Sequence, residues 1–149
     1  MKKNLIISLV VLAAIGLGWS FMRSIGELHR RNSEGNTIGR LGAIRSALSV
    51  YYGDMQGQFP SALEALVTVH QDPAGGTRNY LRSIQVAQCR SPYHPSPDCS
   101  KNMEVGVHDN IRYAKEPDDS GGWGYNAVDG TVYVNCTHTD SFGKSFAGY

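Results

Sequence analysis

Apolar residues follow three regimes along this chain. From Leu5 to Met22 they are nearly continuous (LIISLVVLAAIGLGWSFM), with Lys2 and Lys3 ahead and no charge inside. Between Arg23 and Asp54 they thin to one stripe. Leu41, Ile44, Leu48 and Tyr51 recur at spacings of three, four and three, with Arg40, Arg45 and Ser49 off it. That period is helical. From Tyr80 onward the pattern breaks into short alternating runs separated by Gly, Pro, Asn and Asp, which reads as strand and turn.

The first run predicts a membrane-spanning helix. Its eighteen residues, at 1.5 Å each, cover about 27 Å. That is close to the roughly 30 Å thickness of bilayer hydrocarbon. Trp19 and Phe21 fall near its far end, where rings favour an interface. A cleaved secretory signal is the competing reading, permitted by Ala14 and Gly16. The run continues past those residues, which favours a retained anchor over 1–22.

Helical character persists beyond Met22. Arg23 and Glu27, and Arg30 and Glu34, stand four apart, a spacing that permits surface ion pairs. Gly35, Gly39 and Gly42 weaken the middle and mark either a bend or a close approach of neighbouring helices. A helix from about residue 4 to about residue 54 follows, in a first half over 1–22 and an amphipathic continuation over 23–54. The second half can pack on its own head through Leu41, Ile44, Leu48 and Tyr51. The first half is apolar nearly all round (Leu5, Ile6, Ile7, Leu9, Val10, Val11, Leu12, Ile15 and Leu17) and has no partner within the chain. It requires lipid or copies of itself.

Residues 55–149 form the head. Gly53-Asp54 and Gly57 end the long helix, and Ser61 with Glu64 has capping-box spacing ahead of a two-turn helix through Ala62, Leu63, Leu66 and Val67. Val105 and Val107 alternate as a short strand. GWGYNAVDGTVYVNC is the clearest hairpin, with Asp129-Gly130 as its tight turn. The expected fold is α+β: a long N-terminal helix, membrane-spanning in its first half, packed by its second half on a small antiparallel sheet.

Composition narrows the function. A length of 149 residues leaves room for one domain and an appendage, and a formal net charge of +1 offers no basic field for nucleic acid. Of three cysteines, Cys89 and Cys99 close a short Pro-rich loop and are the preferred disulfide. Reduced thiols, or pairing of either with Cys136, remain open. Cys89, His94, Cys99 and Cys136 offer zinc-type donors without a familiar spacing. Asp118, Asp119 and Asp140 lack the oxygen-rich spacing of a calcium loop and read as turn formers. Thr137-His138-Thr139-Asp140 reads as a polar run. No nucleophile elbow, phosphate loop or zinc-protease motif is present, so no enzyme, catalytic residue, cofactor or metal is expected.

Two strings carry a resemblance: GRLGAIRSALSVYYGDMQGQFPSALEAL at the helix end, and GGWGYNAVDGTVYVNC in the last hairpin. With the order of parts, they resemble type IV pilin-like proteins and the pseudopilins of type II secretion. The resemblance implies a structural subunit of a type IV pilus-like (fimbrial) or pseudopilus-like filament, built by stacking N-terminal helices. It implies copies of itself, inner-membrane assembly machinery and lipid as partners, and no nucleic acid. It places the chain in a bacterial cytoplasmic membrane with a periplasmic head, and then in an extracellular or periplasmic filament. The family's leader motif for prepilin cleavage is absent, and the first acidic residue is Glu27. The alternative function is a membrane-tethered extracytoplasmic binding module that does not polymerise.

Overall fold

The computed structural model describes residues 2–71, 76–87 and 111–149, with the side chains of 2–6 and 8–10 also outside the description. Two compact units emerge, Met1–Asn32 and Ser33–Tyr149. Helix α1 (Lys2–Asp54) contributes to both.

In the second unit α1 packs on a small β-rich head. Leu41, Ile44, Ala47 and Leu48 are buried there, three or four apart as one helical face demands. They meet Leu63, Leu66, Trp123, Tyr125, Val132, Val134 and Phe146 in one core, with Tyr51 half-buried at its margin. Gly35, Gly39 and Gly42 do not interrupt the helix and meet no neighbour among the described residues of this chain. The helix runs through all three, and a Cβ at any of them would meet nothing within 4 Å.

After α1 comes one turn of 3-10 helix (Leu63–Leu66), shorter than the two α-turns expected. The capping box does not form, because the N-cap is Ala62 and Glu64 instead accepts the hydroxyl of Tyr113. Strands β1 (His70–Gln71) and β2 (Thr77–Arg78) pair antiparallel. The second sheet contains β3 (Ile111–Arg112), β4 (Trp123–Asn126) and β5 (Thr131–Val134), in that order. Its β4–β5 pair is antiparallel, but β3 runs parallel to β4, so the sheet is mixed and not the antiparallel one expected. A two-residue strand has too few positions to announce its direction in a hydropathy pattern.

The hairpin turn is longer than two residues. Asn126 pairs with Thr131, which leaves residues 127–130 as the connection. Gly130 closes it with its N–H on the Asn126 carbonyl at 2.9 Å and a φ of +71°, a conformation that suits glycine. Gly124 is required for a different reason. The Tyr133 ring crosses directly over it, where a Cβ would lie 2.0 Å from ring atoms.

The membrane-spanning half of the expected fold is corrected. Among the described residues no helix is long and apolar enough to cross a membrane. The apolar run ends at Met22. Arg23 and Glu27 follow at once. The transmembrane anchor over 1–22, the location in a cytoplasmic membrane with the head outside, the membrane-tethered binding module and the membrane-drawn pilus or pseudopilus filament are withdrawn together, because each rested on that span.

Candidate functional site

The strand β5 leads into Asn135-Cys136-Thr137-His138, where chemistry-bearing groups concentrate. Asn135 is fully buried, and its amide clasps a separate turn. Asn135 Nδ2 donates to Asp118 Oδ1 at 2.6 Å and to Ser120 Oγ at 2.9 Å, while the Asp118 N–H donates back to Asn135 Oδ1 at 2.8 Å. Backbone bonds between Gly121, Gly122 and Asn135 complete the clasp. The Ser120 and Asn135 side chains hold the Asp118 carboxyl at about 2, below its ordinary 3.8. This polar knot sets the turn 118–120 beside the end of β5.

The knot delivers Asp119 to Cys136 and His138. Asp119 sits at a φ of +60° and is gripped from the opposite segment. Its Oδ1 accepts the Thr137 N–H at 2.5 Å and the Thr137 hydroxyl at 2.9 Å. Cys136 and His138 are two residues apart, and their side chains meet on one side of the chain. Cys136 Sγ lies 3.5 Å from His138 Nδ1, and that nitrogen lies 3.9 Å from Asp119 Oδ1. One donor atom from each residue falls within 4.8 Å of both others. Cys136 is buried, whereas His138 and Asp119 are part-exposed.

A thiol, an imidazole and a carboxylate suggest a nucleophilic triad, but the geometry opposes one. Such a relay needs the nucleophile and the orienting carboxylate on different ring nitrogens. Here both converge on Nδ1 of His138, and the sulfur has no exposed surface. Three donor atoms within 4.8 Å of one another could instead hold a metal ion.

The C-terminal segment braces this corner. Phe146 N–H donates to the His138 carbonyl and Ala147 N–H to the Cys136 carbonyl, and the Phe146 ring is wholly buried. Asp140 caps the adjoining turn. Burial pushes its carboxyl up, but bonds from the Tyr149 hydroxyl and from the Lys144, Phe142 and Gly143 amides outweigh this and lower it. Glu34 is buried and accepts the Ser141 N–H at 3.1 Å and its hydroxyl at 2.5 Å. Arg30 and Arg31 both bind Glu27.

The second candidate is the apolar part of α1 in the first unit. Ile7, Val11, Leu12, Ile15 and Leu17 are all more than half exposed there, as are Trp19, Phe21, Met22 and Leu28. The side chains of Leu5, Ile6, Leu9 and Val10 lie outside the described residues, as do Cys89, Cys99 and their expected disulfide. A groove of about 440 Å³ lies elsewhere on the second unit, lined by Ala43, Ala47, Val50, Arg78 and Tyr80.

Comparisons with protein-family models, curated proteins and solved structures give no match. The resemblance to pilins and pseudopilins is therefore corrected. It leaned on two short strings and on a membrane-spanning helix, and the helix is not found among the described residues.

Proposed function

We propose that this chain is a non-enzymatic interaction protein that associates with copies of itself through the apolar part of α1, in closed oligomers of three or more chains. The observation that carries this reading is the exposure of the large apolar side chains between Ile7 and Leu28. At 100° per residue they occupy an arc of about 220° around the helix, from Leu17 round to Leu12. Gly16, Ser20, Arg23 and Glu27 occupy the remainder. A single partner helix covers a stripe of about 100°. So wide an arc needs neighbours on at least two sides, and a ring in which each helix has two neighbours contains at least three.

Copies of the same helix suit one another. No charge lies between Asn4 and Met22, so close packing in either direction meets no repulsion. The apolar area removed from water contributes roughly 25 cal/mol per Å², which rewards mutual cover.

Sedimentation equilibrium of the full chain tests the reading. The expected result is a discrete species of at least three times 16.3 kDa. Leu12→Lys combined with Ile15→Lys should return it to the monomer mass while leaving the head's near-ultraviolet dichroism unchanged. Wild-type protein that stays at 16.3 kDa at every concentration overturns it.

A further inference from the structure

Asp119, Cys136 and His138 do nothing in the association just described, and their geometry carries a separate conclusion. We propose that Cys136 Sγ, His138 Nδ1 and the Asp119 carboxylate bind one divalent cation of the zinc class, with water in the fourth position. Zinc takes sulfur at about 2.3 Å, imidazole nitrogen at about 2.0–2.1 Å and carboxylate oxygen at about 2.0–2.2 Å, in a tetrahedron. Donors at those lengths stand about 3.4–3.6 Å from one another across tetrahedral edges. The observed sulfur–nitrogen separation is 3.5 Å and the nitrogen–oxygen separation 3.9 Å, so those two edges close with movements of a few tenths of an ångström, while the sulfur–oxygen edge, within 4.8 Å, closes by up to about 1 Å through rotation of the part-exposed Asp119 side chain.

The donor set selects the cation. A thiolate and an imidazole suit zinc and its neighbours, while calcium and magnesium prefer oxygen alone. The supporting contacts are those of a built site. Thr137 grips Asp119 through its N–H and hydroxyl. Backbone bonds from Phe146 and Ala147 hold the main chain at His138 and Cys136. Outer contacts of this kind orient ligands and tune their affinity. Access is provided by the part-exposed His138 and Asp119, with the sulfur forming the buried floor. At this turn the Arg112 guanidinium is directed at Asp118, 3.8 Å away.

The test uses the reduced full-length chain and cobalt as a spectroscopic substitute for zinc. The expected result is one equivalent bound per chain, with a thiolate-to-cobalt charge-transfer band that added zinc abolishes. Cys136→Ser should remove the band. His138→Gln and Asp119→Asn should each weaken binding at least tenfold. Far-ultraviolet dichroism of each variant separates lost ligation from lost fold. The proposal is overturned if the reduced protein gives no thiolate–cobalt band. It is also overturned if the band persists unchanged in Cys136→Ser, which would move the sulfur to Cys89 or Cys99, or if His138→Gln and Asp119→Asn both bind at wild-type affinity while folded.

Discussion

At the scale of single residues, the aromatic side chains of the hairpin do more than fill volume. Trp123 Nε1 donates to the Gln85 carbonyl at 2.8 Å, Tyr125 Oη to the Pro60 carbonyl at 2.7 Å and Tyr133 Oη to the Ala114 carbonyl at 3.0 Å. Each ring is buried while its polar tip is bonded, which avoids the penalty of an unsatisfied group. Tyr133 reaches Ala114 only because Gly124, its partner across the strands, presents no side chain. Gly124→Ala should therefore force the ring aside and cost about 3 kcal/mol, at the upper end of ordinary overpacking. Urea unfolding measures this. Combining it with Tyr133→Leu should recover part of the loss through coupling of the two sites. Equal losses in the presence and absence of the ring would show that the close approach is not the cause.

The Asp119, Cys136 and His138 cluster was not legible at this scale. By sequence Cys136 reads as a zinc-type donor beside Cys89, His94 and Cys99, and His138 as part of a polar run. Asp119 does not announce itself. It arrives through the Asn135 clasp, a bond network between segments about fifteen residues apart, and no local pattern encodes it. In the sequence alone, Asp119 is one of several turn aspartates.

Among elements, the long helix was the most legible, because few arrangements besides a helix produce a 3.6-residue period sustained over several turns. Leu41, Ile44 and Leu48 show the rule at work, three buried positions on one face. The strands were less legible. β4 and β5 are four residues each, with strong Trp, Tyr and Val character, whereas β3 is two residues and its parallel direction had no signal. The membrane span failed for another reason, since apolarity in a sequence does not distinguish among the surfaces that cover it. The helix also carries glycines with no structural use inside this chain. Gly39 and Gly42 sit on its exposed side with open space at the Cβ position. Gly39→Ala and Gly42→Ala should each raise stability by up to about 1 kcal/mol, through better helix propensity and a less flexible unfolded chain. Thermal melts check this. A loss of stability in the oligomer, with a gain in the monomeric Leu12→Lys, Ile15→Lys background, would show that the face is packed against another copy.

For the whole molecule, the division into two units implies two sources of protection for a single helix. Residues of α1 from Ser33 onward belong to the unit that contains the core, and Arg40 and Arg45 add bonds to the carbonyls of Val86 and Val132. Their amides should open only with the head, at its global stability. The part up to Asn32 contributes no buried core residue among the described residues, and it carries Gly16, Gly18 and Gly26, each unfavourable to an isolated helix. Unsupported helices are marginal in water, because propagation barely offsets the cost of nucleation. Any strong protection there must come from association. Native-state hydrogen exchange at several protein concentrations separates the two sources. Protection of amides between Val11 and Leu28 should rise with concentration, by mass action on the oligomer. Protection between Leu41 and Tyr51 should stay constant. Uniform and concentration-independent protection along all of α1 would mean that the first unit is stabilised within the single chain, and self-association would then lose its physical basis.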